Sequence, residues 1–181
     1  MDLKLTSDPR YPIGEFTRPD AVSPEERKGL LDVLARTPSL LRAAVAGLSD
    51  AQLDTPYRPG GWTLRQVVHH VADSHMNSYI RCRLALTEDN PLIKPYDQTR
   101  WAELADARIL PVELSLGLLD NLHARWTALL SRLAPEDFAR TFRHPEYSAP
   151  LSLDITLALY AWHGKHHTAH ITGLRQRMGW I

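Results

Sequence analysis

The sequence of 181 residues contains a single cysteine, so no disulfide can form within the chain. This excludes the disulfide-stapled class of small extracellular domains and suits a reducing compartment. No apolar run approaches the ~20 residues of a membrane-spanning helix, and the N-terminal segment lacks the apolar stretch of a signal peptide. We therefore expect a cytoplasmic protein that does not associate with membranes.

Net charge is absent as well, because 21 basic residues balance 21 acidic ones. A chain without net charge has no long-range field that would attract nucleic acid or an anionic membrane surface. The expected partners are therefore small molecules and not nucleic acid. A hydrophobic fraction of 44% over this length predicts one globular domain that covers residues 1–181.

Convincing β-strand patterns are also lacking, since the proline-free stretches carry helical periodicity and no sustained alternation. Capping signals mark several helix ends, such as Ser23 followed by Pro24 and Glu26. Pro38 is expected to kink or interrupt the first helix. The four predicted long helices cover Ser23 to about Gly47, Thr63 to about Thr87, about Val112 to Leu133, and about Ser152 to Met178.

A segment rich in proline and aspartate, Glu88–Pro111, connects the second and third helices. It is too long for a tight turn and is expected to contain a short helix around Trp101 to Ala107. The segments LSDAQLDTPYR and LAPEDFARTFR form a faint internal repeat, each lying before a histidine-bearing helix. The predicted fold is all-α, a four-helix bundle with a long crossover between helices 2 and 3.

The histidines are the most informative residues that are present, because seven of the nine lie in two short segments. The four histidines of the fourth helix project from one face, which is also the face predicted to be buried. Two pairs with metal-ligand spacing overlap there, His163 with His167 and His166 with His170, and spacing alone leaves both open. A buried polar group without a partner costs roughly 1 to 3 kcal/mol, and a shared metal ion removes that cost.

The second helix contains the other three histidines, His69, His70 and His75. Its apolar stripe, formed by leucine and valine at positions 64, 67, 68 and 71, is centred nearest to His75. Periodicity therefore ranks His75 first as an inward ligand and His70 second. It places His69 on the opposite shoulder, either at the surface or behind the ligands.

Several long segments identify a family resemblance that covers nearly the whole chain. YPIGEF, LDTPYRPGGWTLRQVVHHVADSHMNSYIR, KPYD and LYAWHGKHHTAHITGLRQRMGW resemble the YfiT-like branch of the DinB superfamily. The resemblance implies a homodimer with one divalent metal ion per chain. In that family the ligands are a histidine eight residues after the tryptophan that opens helix 2 and a spaced pair in helix 4, which correspond to His70, His163 and His167. The family often has Gln at the position of His170, so the resemblance implies a supporting role in the pocket for that residue.

Three neutral imidazoles leave a coordination position open, as catalytic metal sites do. Zinc is the expected ion, and nickel is compatible with the same ligands. The segment HGKHH lacks the glutamate of the HExxH motif, which argues against zincin-type proteolysis. Iron oxygenase chemistry is disfavoured because its usual carboxylate ligand is not placed here.

An open metal position can activate a water molecule or a thiol. The resemblance implies a metal-dependent hydrolase or a thiol S-transferase of the bacillithiol type. No water-activating carboxylate is evident beside the histidines, which favours the thiol, although Asp73 and Glu15 are candidates to reach the site. The alternative from another class is a metal-binding stress-response or interaction protein without turnover.

Arginines near the second helix can bind the carboxylates of an acidic thiol, although arginines on a solvated helical face are commoner. The candidates are Arg58, Arg65, Arg81 and Arg83. Cys82 falls on the apolar stripe and is predicted to be a small buried hydrophobic residue, not a nucleophile.

Overall fold

A computed structural model describes residue 6 and residues 8–180 of the chain. In chain order the helices are α1 (Pro24–Val45), α2 (Asp50–Leu53), α3 (Leu64–Thr87), α4 (Gln98–Ala102), α5 (Ala105–Ile109), α6 (Val112–Leu130) and α7 (Leu153–Met178). The long helices α1, α3, α6 and α7 form a bundle in which α1 and α3 each pack on α6 and α7. The predicted all-α four-helix bundle is therefore confirmed. Among the described residues, no helix has the length and apolar character needed to cross a membrane.

Local capping chemistry sets the ends of the long helices. The side chains of Ser23, Thr63 and Ser152 each accept a hydrogen bond from a backbone N–H of the first turn. Gly179 ends α7 in the left-handed conformation, with φ +66°, where a side chain would be strained. These boundaries agree with the predicted ones because capping depends on residues that are neighbours in sequence.

Some predicted boundaries need correction. The helix α6 ends at Leu130 and not at Leu133, because the N–H groups of Arg132 and Leu133 donate to carbonyls three residues back and tighten the last turn. The crossover holds two short helices, α4 and α5, where one was predicted around Trp101 to Ala107. The helix α1 continues through Pro38, so of the two predicted effects of this proline, a kink or an interruption, the interruption does not occur.

Two short strands were not predicted from the sequence. The strand β1 (Thr141–Phe142) pairs antiparallel with β2 (Leu151–Ser152), directly before α7. A strand of two residues is too short to show an alternating pattern, so sequence periodicity cannot reveal it. A 3-10 turn (Pro135–Ala139) precedes β1.

The bundle contains two apolar clusters with a polar layer between them. Leu34, Trp126 and Tyr160 belong to one cluster. The other cluster is made by residues further along or further back on the same helices, Leu41, Leu119 and Ile171. Between these positions lie the buried side chains of the polar layer, Thr37, His75 and His123, with the partly exposed His163 beside them.

The helices α1 and α7 approach each other closely at this layer. A Cβ atom placed on Gly164 would lie 2.6 Å from the Thr37 Cγ2 and 2.7 Å from its Oγ1. Thr37 is held in place because its hydroxyl donates to the Val33 carbonyl, 3.0 Å away. Gly164 is therefore required by the packing of the two helices.

We expect Gly164→Ala to lower the free energy of unfolding by about 1–3 kcal/mol through overpacking, although alanine favours a helix. Gly29 is an exposed glycine in α1 with open space around it, and Gly29→Ala should raise stability by up to about 1 kcal/mol. Urea denaturation measures both effects. Combining Gly164→Ala with Thr37→Ala should reduce the cost of the first change, and equal effects of the two glycine substitutions would contradict the packing role.

Candidate metal centre

The structure brings together the three histidines that the family resemblance selects. One ring nitrogen from each of His70, His163 and His167 can be chosen so that all lie within 4.8 Å of one another. His70 lies on α3, and the other two lie one turn apart on α7. The His163 and His167 ring centroids are 4.4 Å apart, and that of His70 lies 4.8 Å from the His167 centroid. The geometry is that of a candidate metal site shared by two helices.

Burial controls the charge of this cluster. Burial lowers the pKa of His70 to about 4 and holds the pKa values of His163 and His167 well below their usual range. All three rings are therefore neutral at pH 7, and each has a lone pair available for a ligand. Neutral imidazoles are suitable ligands for zinc and nickel, so the residues present fit a divalent metal ion.

His75 is the most inward histidine of α3, as periodicity predicts, yet it is not part of this cluster. Its Nε2 lies 3.1 Å from the His163 Nδ1, and its Nδ1 lies 2.9 Å from the His123 Nε2. The centre of the apolar stripe points into the bundle core, whereas His70 lies at the margin where the core meets a cavity. Periodicity ranks His75 first, whereas the three-histidine cluster contains His70 in its place.

His69 is neither a surface residue nor a neighbour of the cluster. Its ring is buried beneath the start of α6, with Nδ1 2.7 Å from the Ser115 hydroxyl and Nε2 3.1 Å from the Leu110 carbonyl. The end of the crossover and the start of α6 cover this side of α3. Periodicity along α3 alone does not reveal that cover.

The second spaced pair of α7, His166 and His170, lies on one side of the cluster. The His170 Nδ1 lies 3.3 Å from the His167 Nδ1, and its ring stacks on Tyr57 with centroids 4.1 Å apart. The His166 ring stacks on Trp162, with centroids 4.4 Å apart. The pair that meets His70 is the one that begins at His163, and His170 contacts His167 from outside the three-histidine cluster.

Two cavities meet at the cluster. One has a volume of about 620 Å³ and the other about 440 Å³. His163, Gln98 and Thr99 line both, so the short helix α4 of the crossover forms part of the site. Sequence reasoning missed Gln98 and Thr99, and the only available signal was the KPYD segment that precedes them.

The four candidate arginines have different environments. Arg65 is buried and forms ion pairs of 2.7 Å with both Asp50 and Asp54, so it is occupied by carboxylates of the chain itself. Arg83 donates to the Tyr79 hydroxyl at 3.1 Å. Arg81 lines the larger cavity, whereas Arg58 lines the smaller one. Arg81 and Arg58 are therefore the two candidates placed to meet a ligand.

Carboxylates near the cluster are few. The predicted candidates Asp73 and Glu15 line neither cavity, whereas Asp97 and Glu146 line the larger one. Asp97 accepts a hydrogen bond from the Arg100 N–H and caps α4. Cys82 is buried as predicted, and burial raises the pKa of its thiol to about 12.

Comparisons with known proteins identify the class to which this bundle belongs. Residues 34–171 match the family model of the DinB superfamily, and the chain is a member of that superfamily. The "Putative metal-dependent hydrolase YfiT" of Bacillus subtilis (strain 168) is 52% identical over 170 residues, which are 94% of this chain and 96% of that protein. A relative from Bacillus mycoides (strain KBAB4), with the same class name, is 55% identical and covers 96% of this chain and 99% of its own.

The solved structures agree with this assignment. The structure of YfiT from Bacillus subtilis, described as a probable metal-dependent hydrolase with an unusual four-helix bundle topology, superposes with a TM-score of 0.94 at 51% identity. The match covers 96% of this chain and 99% of the YfiT chain. TT2238, described as a four-helix bundle protein, gives a TM-score of 0.54 at 25% identity over 78% of this chain and 94% of its own. The chain is thus similar to YfiT over nearly its whole length.

The buried histidines predict acid sensitivity of the metal-free protein. Burial lowers the pKa of His70, His123 and His166 to about 4, below the usual histidine value of about 6.5. The unfolded chain therefore binds more protons in this range, and the stability from these groups is complete above about pH 6.5 and lost as the pH falls toward 4. Asp73 acts oppositely, because burial raises its pKa to about 6.

In urea titrations we expect the free energy of unfolding to fall by more than about 1.4 kcal/mol per pH unit between pH 6 and pH 5. That slope corresponds to a net uptake of more than one proton on unfolding, after the single opposing carboxyl is subtracted. A free energy of unfolding that stays constant or rises as the pH is lowered from 6 to 5 would show that the rings are not buried in the neutral form.

Proposed function

We propose that the protein is a metal-dependent enzyme in which His70, His163 and His167 hold one divalent cation. The observation that carries the proposal is the convergence of three neutral ring nitrogens beside two cavities. Zinc is the expected ion and nickel the alternative, because both accept imidazole ligands. A cation held there supplies a Lewis acid that stabilises the deprotonated form of a thiol or a water molecule.

The residues around the cluster favour a thiol as the activated group. Activation of water usually requires a nearby base, and neither Asp73 nor Glu15 lines a cavity. Of the two carboxylates that do, Asp97 is occupied as a helix cap, and Glu146 is an exposed side chain. A substrate that carries its own thiol has less need of such a base, because the thiol itself is the group that the metal activates. The names of the relatives support hydrolysis, which is therefore the second candidate.

We expect the zinc-loaded protein to join a low-molecular-weight thiol, such as bacillithiol or cysteine, to an electrophile such as monobromobimane. The bromide leaves, and the thiol proton passes to solvent. Fluorescence of the bimane adduct measures the rate. His70→Ala should bind less zinc, because removing a ligand disrupts the site. Its rate, after subtraction of the non-enzymatic reaction, should be at least about 100-fold below that of the wild-type protein.

The matched control is His69→Gln, which changes the adjacent buried histidine whose ring faces Ser115 and not the cluster. It should keep both zinc and rate. Hydrolysis of esters or amides that needs the metal but no thiol would refute the transferase proposal and support the hydrolase. Loss of zinc in His70→Ala with every measured reaction unchanged would instead favour the non-catalytic metal-binding protein.

We further propose that the substrate carries an anionic group that Arg81 binds in the larger cavity. Arg81 is partly buried on α3, and its guanidinium forms no ion pair with the described residues. A guanidinium in such a cavity is suited to bind a carboxylate through two hydrogen bonds. The proposed substrate is therefore an acidic thiol, or an acidic electrophile that reacts with the thiol.

Arg81→Gln should raise the KM for a carboxylate-bearing thiol about 10-fold or more, with less effect on a neutral thiol such as 2-mercaptoethanol. Arg83→Gln is the matched control, since Arg83 is two residues away but exposed and bonded to Tyr79. Steady-state kinetics with both thiols measures the difference. Equal changes in KM for the charged and the neutral thiol would refute the role of Arg81.

A further inference from the structure

Pro38 leaves a backbone carbonyl of α1 without its helical partner. In a regular helix the carbonyl of residue 34 accepts from the N–H of residue 38, and proline has no N–H. The Leu34 carbonyl instead lies 2.7 Å from the Nδ1 of His123, which reaches it from α6. A carbonyl oxygen can only accept, so this contact requires a proton on the His123 Nδ1.

That single requirement fixes a chain of tautomers. A neutral ring protonated at Nδ1 has a bare Nε2, so the His123 Nε2 must accept from the His75 Nδ1, 2.9 Å away. The His75 Nε2 is then bare and accepts from the His163 Nδ1, 3.1 Å away. His163 is left with a bare Nε2. We call these three residues, His123, His75 and His163, the long relay.

A shorter chain ends on the second histidine of α7. The His170 Nε2 lies 3.3 Å from the carbonyl oxygen of Arg10, which again can only accept. The His170 Nδ1 is therefore bare and accepts from the His167 Nδ1, also 3.3 Å away. His167, like His163, is left with a bare Nε2. We call His170 and His167 the short relay.

We propose that these two relays, anchored on the carbonyls of Leu34 and Arg10, orient His163 and His167 so that each directs a bare Nε2 to the metal ion. The proposal rests on the proposed function, in which both histidines are ligands. His75, His123 and His170 are then positioning residues that act through the ligands. The tautomer is decisive, because a nitrogen that carries a proton cannot bind a metal ion.

The direct test of the long relay needs no metal. In metal-free protein labelled with ¹⁵N, long-range ¹H–¹⁵N correlation spectra distinguish a protonated ring nitrogen from a bare one. We expect His123, His75 and His163 each to be protonated at Nδ1 and bare at Nε2. A His75 protonated at Nε2 would overturn the relay, whatever the metal affinity of the protein.

The consequence for binding is tested with Zn²⁺ and a competing chromophoric chelator. His123→Leu removes the acceptor of the His75 Nδ1, so the tautomers beyond it are no longer fixed, and the affinity for Zn²⁺ should fall about 10- to 100-fold. His123→Gln keeps an amide oxygen as an acceptor and an N–H as a donor, and it should restore most of that loss. His69→Leu removes another buried histidine that contacts a backbone carbonyl and should leave the affinity unchanged.

The outcomes separate the relay from the proposed function. Absence of Zn²⁺ binding by the wild-type protein would refute the proposed function, while the tautomers of the metal-free protein still test the relay. Zn²⁺ binding that His123→Leu and His123→Gln weaken equally would refute the relay alone. If His123→Leu fails to fold, which circular dichroism reveals, the tautomers of the wild-type protein and the affinity of His123→Gln decide the question.

Discussion

The polar layer depends on one constraint, that a buried imidazole nitrogen without a partner costs free energy. His75 meets this constraint within the chain, since one nitrogen faces His123 and the other faces His163. His163 has one nitrogen in that contact and a second directed away from it. A polar layer satisfied on its inner side therefore offers lone pairs on its outer side, and this makes the edge of the layer that meets the cavities suited to a cation.

The backbone provides what this layer requires. Pro38 frees a carbonyl inside α1, and His123 uses it without breaking the helix. Gly164 lets α7 approach Thr37 where any side chain would collide. Apolar clusters lie on both sides of the layer, and burial keeps the rings neutral. Two residues that weaken a helix in isolation are thus accounted for by contacts between helices.

Sequence alone predicts the bundle and most of its helix ends, because caps such as Ser23 and Thr63 act over three or four residues. It also predicts that the α7 histidines share a face. On α3 periodicity ranks His75 above His70, whereas the three-histidine cluster contains His70, because a hydrophobic stripe locates the core and not the rim of a cavity. The contribution of Gln98 depends on how the crossover folds back over the bundle, and no local pattern contains that information.

The burial of Cys82 has a practical and a chemical consequence. Its thiol lies in the apolar cluster with a pKa raised to about 12, so almost none of it is thiolate at neutral pH. The chain therefore has no reactive sulfur of its own among the described residues. An alkylating compound that enters the cavities finds no thiolate at Cys82 to label, and thiol-directed reagents should leave Cys82 of the folded protein unmodified.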